Sequence, residues 1–303
     1  MPPDRPESSL RSFLFSPGSD ERKLQKAAAS DADAVILDLE DAVAEARKAE
    51  ARELVAACVK QHGAARPVYV RVNSVPSGHI ADDLAAICSP ELAGIWLPMA
   101  EKAEEVWHVD ALLAGIEAER GMKPGAVGLV LSFETARGVH HAFELASAAK
   151  RVTGVSAGTA EGGDLHAEMG GLWSDETGIV PHVRLNIAIA ARAAGISCLV
   201  DGACTRLDDQ VVSTSAKAAR DAGYSAKSAI HPGHISLIHA AFAPLPEEVA
   251  HAKAVIVAFA QAEAEGIAAI KVDGRMIDYA MVVNARRVLE QAGEEMTGEV
   301  DNG

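Results

Sequence analysis

Aromatic residues are scarce in this 303-residue chain, at 4% of positions, which removes the stacking platforms that single-stranded nucleic-acid binders depend on. Positive charge is the minority sign: 28 Lys and Arg stand against 43 Asp and Glu, for a formal net charge of −15. A surface of that sign repels phosphate backbones and anionic lipid, so neither nucleic acid nor a membrane is an expected partner. A small anionic substrate is still acceptable, because one arginine and one divalent ion in a cleft outweigh a diffuse, screened surface charge. Cysteine is sparse too. Cys58, Cys88, Cys198 and Cys204 lack C-x-x-C spacing and sit among apolar or small residues, so they read as reduced thiols rather than zinc ligands or disulfides. No run approaches the 18 apolar residues of a membrane span, and the opening MPPDRPESSL has prolines and charges where a signal peptide has an apolar core. The expected location is the cytoplasm. G-x-G-x-x-G, Walker and H-E-x-x-H sequences are absent as well, which argues against a nucleotide fold and a histidine-held zinc.

What is present is apolar residue at 49%, enough for one large core with a short appendage. Short β-branched runs alternate with Ala-rich stretches of helical periodicity. The expected strands are Ser12–Phe15, Ala34–Leu39, Val68–Asn73, Gly94–Leu97, Val127–Phe133, Val152–Ser156, Cys198–Asp201 and Ser228–Ile230. The expected helices between them include Ala46–Gln61, Lys102–Arg120, Thr135–Ala149, His182–Ala194 and Asp208–Ala222. Eight strand–helix units predict an α/β fold of the (β/α)₈ TIM-barrel type, with an open doubly wound sheet as the alternative. Residues 1–10 are expected to be disordered, 11–245 to form the barrel, 246–293 to form a C-terminal helix, hairpin and lid, and 294–303 to be a disordered acidic tail. The extension is read from the helical Pro246–Glu265, the Asp273-Gly274 turn signal and the helical Ala280–Ala292.

Polar residues collect where strands end: Asp38, Glu40 and Asp41, then Arg71 and Asn73, Glu134, Asp164, Asp201 and His231. A barrel gathers such ends on one face, whereas an open sheet spreads them along a crevice. Arg71 lies within the apolar strand VYVRV and needs an anion. Either a neighbouring carboxylate such as Glu40 or Asp41, or a substrate carboxylate or oxyanion, meets that need. Strand alternation puts Asp38 and Glu40 on one face with Asp41 pointing away. Glu134 and Asp164 read either as helix-capping carboxylates or as the acid pair that suffices for Mg²⁺, which fills its octahedron with water and substrate oxygens. Asp278 reads as the cap of the helix beginning near Tyr279, or as a catalytic base.

The segments RSFLFSPGSDERKLQKA, AVILDLEDAV, VYVRVN, GIWLPMAE, SFETARGV, GGDLHAEMGG, LVDGACT, KSAIHPGHI and GRMID follow one another in the order of a known family. From about Arg11 to about Leu289 the chain resembles the citrate lyase β-subunit-like proteins of the HpcH/HpaI aldolase superfamily, which include malyl-CoA, methylmalyl-CoA and citramalyl-CoA lyases. The resemblance implies Mg²⁺ on Glu134 and Asp164, and Arg71 on the substrate carboxylate or oxyanion. It further implies CoA contacts from the first barrel loop, for which Arg11, Arg22 and Lys26 are the candidates. Glu40 is assigned to orienting metal-bound water or Arg71, with Asp38 and Asp41 structural. Family members are trimers, or hexamers built from trimers. Their aspartate at the position of Asp278 serves as general base in a neighbouring subunit's site.

The activity implied is a Mg²⁺-dependent carbon–carbon lyase that cleaves or forms a 3-hydroxyacyl-CoA from a 2-oxo acid and an acyl-CoA. Alternatives are a thioesterase on the same substrates, a metal-dependent aldolase of free hydroxy-oxo acids, a citrate lyase β subunit with an acyl carrier protein partner, and a non-catalytic thioester-binding subunit. The chain departs from the family at Met99, where a lysine is usual, in GTAEGGD, and after Asp278, where Tyr279-Ala280 replaces a frequent proline. Side-chain volume near Met99 is expected to set substrate preference.

Overall fold

The computed structural model describes residues 9–264, 270–272 and 275–294. Residues 1–8 of the expected disordered N-terminus, the Asp273-Gly274 turn and residues 295–303 of the expected tail lie outside the described residues. The chain divides into two compact units, residues 1–242 and 243–303.

The first unit is a closed barrel of eight parallel strands, as expected: β1 (Ser12–Pro17), β2 (Ala34–Asp38), β3 (Val68–Arg71), β4 (Gly94–Leu97), β5 (Gly128–Phe133), β6 (Val152–Ala157), β7 (Cys198–Asp201) and β8 (Ala226–Ala229). The strands pair in chain order and β8 closes onto β1, with Phe13 beside Ser228. Helices follow the strands: α1 (Glu21–Ala28), α2 (Lys48–His62), α3 (Ile80–Ile87), α4 (Ala103–Glu119), α5 (Ala136–His140), α6 (Ala142–Ala146), α7 (Asp164–Met169), α8 (Ile179–Ala193), α9 (Asp209–Asp221) and α10 (Ile235–Phe242). The single helix expected over Thr135–Ala149 is instead α5 and α6, because His141 between them sits at φ −95°, ψ 13°, outside helical geometry.

Side-chain parity sorts the barrel into two apolar layers. Phe13, Ile36, Tyr69, Trp96, Val130 and Val200 pack with one another inside the barrel. Their strand neighbours Leu14, Val35, Leu37, Val70, Leu97, Leu129 and Leu199 join the layer between sheet and helices. The interior is filled rather than open: Phe13, Tyr69 and Trp96 meet at ring centroid distances of 5.5–6.4 Å, in edge-on and tilted arrangements. Two residues beyond Ile36, Tyr69 and Val130 the inward positions are Asp38, Arg71 and Ser132, and that change of character opens the site.

The second unit contains α11 (Pro246–Ala264), a two-stranded antiparallel ribbon of β9 (Ile270–Val272) and β10 (Arg275–Ile277), and α12 (Tyr279–Gln291). Val255, Phe259, Ile277, Val282 and Leu289 form its own small core. Among the described residues, no helix is long and apolar enough to cross a membrane.

Candidate active site

A cavity of about 480 Å³ opens at the C-terminal ends of the barrel strands, lined among others by Phe15, Asp38, Arg71, Trp96, Glu134 and Ile230. Parity explains the polar members. Asp38 follows inward Ile36, Arg71 follows inward Tyr69, and Ser132 and Glu134 continue the inward series from Val130.

Arg71 is held by three carboxylates. Its Nε and Nη2 donate to the two oxygens of Asp38 at 2.8 and 2.7 Å, a fork that fixes the guanidinium plane. Nη1 faces the other two acids, 3.1 Å from Glu40 and 3.4 Å from Asp41, while the guanidinium carbon stands 5.3 Å from the Phe15 ring centre. The neighbouring carboxylate that answers Arg71 is thus chiefly Asp38, and Asp41 turns toward the arginine rather than away from it. Desolvation opposes the charge on Arg71, but Asp38 and Glu40 outweigh it and keep the group cationic. Glu40 is pushed up to about 8 by burial, aided by the charges of Glu134 and Asp41 and opposed by Arg71.

The Glu134 carboxyl accepts from Ser132 Oγ at 2.7 Å. Burial raises its pKa against the pull of Arg71 and that hydrogen bond, and the charge of Asp164 adds to the rise. Asp164 is the exposed first residue of α7, so β5 and the loop after β6 bring the two acids within each other's field. Among the described residues, no cluster of three or more His, Cys, Asp or Glu forms a metal cage. Two carboxylates within each other's field, one of them desolvated, make a hard-oxygen donor set that a divalent cation of the Mg²⁺ type would relieve of its repulsion, with water and substrate completing the shell.

Three expected CoA contacts separate in space. Arg11 precedes β1 at the N-terminal end of the barrel, where its backbone N–H donates to Asp33 at 2.9 Å and its guanidinium pairs with the same acid at 3.7 Å. That is the face opposite the cavity, which removes Arg11 from the candidates. Arg22 lines an open hollow of about 530 Å³ with Lys23, Arg47 and Glu50, and this hollow shares Pro17 and Ala42 with the cavity. Lys26 lies in the last turn of α1, away from that rim. Met99 takes φ +55°, the left-handed region, which is uncommon for a residue with a side chain. It is not among the residues lining the cavity, so the expectation that its volume sets preference has no direct contact behind it. His231 uses Nδ1 to accept from Gly233 N–H at 3.1 Å, a turn cap.

Asp201 points out of the barrel, not into the cavity, since Cys198 and Val200 hold the inward parity of β7. Arg184 of α8 meets both its oxygens at 2.8 Å, and Lys227 of β8 bonds it as well. Thr159 ties this buried cluster to the site: its hydroxyl donates to Asp201 at 2.7 Å and accepts from Gly202 N–H, and its carbonyl accepts from Trp173. The loop after β6, which carries Asp164, is thereby pinned to the end of β7. Burial works to raise the Asp201 pKa, but Lys227 and Arg184 hold it at about 2. That depression stabilises the fold above the carboxylate's ordinary range and is lost as pH falls toward 2. Replacing Asp201 by alanine leaves Lys227 buried without its anion and Arg184 with Asp175 alone, 2.6 Å from its Nη2. The expected cost is about 3–5 kcal/mol in urea denaturation, and a loss under about 1 kcal/mol would show that the cluster contributes little.

Residues 11–232 match the HpcH/HpaI aldolase/citrate lyase family. The chain is 31% identical to the citrate lyase subunit beta of Escherichia coli K12 over 97% of its own length and 96% of that protein's. It is 33% identical to a (3S)-malyl-CoA thioesterase of Cereibacter sphaeroides, over 93% of this chain and 94% of that one. The crystal structure of CitE from Mycobacterium tuberculosis, in complex with magnesium, acetoacetate and coenzyme A, superposes with a TM-score of 0.73 at 28% identity, covering 95% of this chain and 100% of that one. A matched model over most of the barrel and whole-length similarity above 30% lead to one conclusion: the chain belongs to the HpcH/HpaI aldolase/citrate lyase family and is a lyase of that family.

Proposed function

We propose that the chain is a Mg²⁺-dependent carbon–carbon lyase that cleaves or forms a 3-hydroxyacyl-CoA of the malyl- or citramalyl-CoA type. The observation that carries this reading is one cavity lined by both Glu134, under the field of Asp164, and a pinned Arg71. A magnesium- and CoA-bound relative of the same fold supports it.

Glu134 and Asp164 would hold Mg²⁺, which when bound supplies a Lewis acid for the carbonyl of a 2-oxo acid. Arg71, fixed by Asp38 before substrate arrives, stabilises the oxygen charge that develops without reorganising at the moment of reaction. Glu40 orients Arg71 through its Nη1. Asp278 is the base that takes the methyl proton of the acyl-CoA, contributed by a neighbouring subunit of a homotrimer or hexamer. Arg22 and Lys26 are the remaining contacts proposed for CoA.

An ammonium in place of the guanidinium loses the fork, so Arg71→Lys is expected to weaken 2-oxo acid binding by about 1–3 kcal/mol. Equal calorimetric affinity in variant and parent would leave Arg71 with a structural role alone. Product analysis tests the reaction itself. Incubating the chain with Mg²⁺ and malyl-CoA or citramalyl-CoA should release a 2-oxo acid and an intact acyl-CoA. Free CoA with the hydroxy acid would favour the second reading, a thioesterase, which the 33% identical malyl-CoA thioesterase supports. Turnover only with a thioester on an acyl carrier protein would assign the chain to a citrate lyase complex.

A further inference from the structure

We infer that Lys48 is a positioning residue that acts as a tethered monovalent cation. Its ammonium fills a cage of uncharged oxygens and so holds the turn that presents Glu40 and Asp41 to Arg71; the catalytic consequence rests on the lyase reading above. Lys48 is the first residue of α2, a place where the helix dipole disfavours a cation. The helix therefore gives no reason for its charge. Its Nζ donates to the main-chain carbonyls of Leu39 and Glu40 at 2.9 and 3.2 Å and to Asn73 Oδ1 at 2.5 Å. Those three bonds use all three ammonium hydrogens.

The turn after β2 is thus clamped through both kinds of backbone group. The Asp38 carboxylate accepts from the N–H groups of Glu40 and Ala42 at 2.9 and 3.1 Å, while the same carboxylate holds Arg71. Lys48 takes the carbonyls. An anion on the N–H groups and a cation on the carbonyls are charge-assisted bonds, stronger than neutral ones. Glu40 and Asp41, 3.1 and 3.4 Å from Arg71 Nη1, lie within this turn. The cage also has supports of its own. Asn73 donates from Nδ2 to the Leu39 carbonyl at 3.1 Å and to Asp83 at 2.7 Å, and its N–H donates to Asp83 at 2.8 Å. Arg52 of α2 in turn holds Asp83 at 2.7 Å. With the lysine truncated, two carbonyls and an amide oxygen remain as a donor set suited to a monovalent cation or an alkylammonium ion.

Two substitutions test this. Lys48→Ala removes the ammonium and opens a path to the cage; Lys48→Met removes the charge but leaves the stem in place. Circular dichroism checks the fold of each, and amide hydrogen exchange over residues 38–47 reads the turn without any substrate. Both variants are expected to exchange faster there than the parent. Both are also expected to lose about 10–100-fold in kcat on a 3-hydroxyacyl-CoA, the size of loss that misplaced groups cause, with Mg²⁺ affinity unchanged. Propylammonium, the fragment that the alanine variant lacks, is expected to restore slow exchange and part of the rate in Lys48→Ala, saturably, and to leave Lys48→Met and the parent unaffected. A Lys48→Ala chain that turns over like the parent, or fast exchange that propylammonium does not slow, overturns the inference. If Lys48→Ala does not fold, Lys48→Met decides, and a parent-like rate and exchange in it overturn the inference. A parent chain that turns over no 3-hydroxyacyl-CoA defeats the lyase reading instead, and the exchange arm still decides whether Lys48 holds the turn.

Discussion

An Asp278→Asn variant is expected to lose about 10²–10⁴-fold in kcat while keeping Mg²⁺ affinity and stability, the loss typical of removing a general base. In the described structure Asp278 is the N-cap of α12, its Oδ1 accepting from Met281 N–H at 3.2 Å. Asparagine caps a helix as well as aspartate does. A cap and nothing more therefore predicts an unchanged rate, which makes the substitution a clean discriminator: only a proton-accepting role suffers when the carboxylate becomes an amide. The proposed placement in a neighbouring subunit is tested by mixing. Inactive Asp278→Asn chains exchanged with inactive Glu134→Gln chains rebuild one complete site for each favourable neighbour pair. Mixed oligomers that recover no activity after confirmed exchange would mean that the base does not act across subunits.

The barrel is legible in the sequence because eight short β-branched runs are separated by helical periodicity, and parallel strands buried on both faces need no polar alternation. That same continuity hides strand parity. Asp38 ends the wholly apolar run AVIL, so nothing in β2 says that it faces the cavity. In β7, Asp201 ends an equally apolar run and faces α8 instead. Both acids end strands on the same face of the barrel, yet only one belongs to the site.

Arg71 is legible for a different reason: a lone guanidinium in an apolar strand demands an anion wherever it points. The same argument, applied to Lys227 within AKSA and to Arg184 on the apolar stripe of Val180, Val183 and Ile187, leads to the Asp201 cluster and to Thr159. Arg11 fails as a CoA contact because a residue preceding a parallel strand stands at the barrel's N-terminal end, a consequence of chain direction that motif resemblance does not convey. The break at His141 has no glycine or proline to announce it. A reading by periodicity runs straight through it.

The account turns on Glu134 and Asp164 sharing a divalent cation beside Arg71. Glu134→Gln and Asp164→Asn keep side-chain size and remove charge, one at a half-buried and one at an exposed position, so the barrel should survive both. Isothermal titration of Mg²⁺ into the parent chain and the two variants, with circular dichroism confirming the fold, is the direct measurement. Binding in the parent and loss of binding in each variant is the predicted result; undiminished Mg²⁺ affinity in both variants would contradict the account.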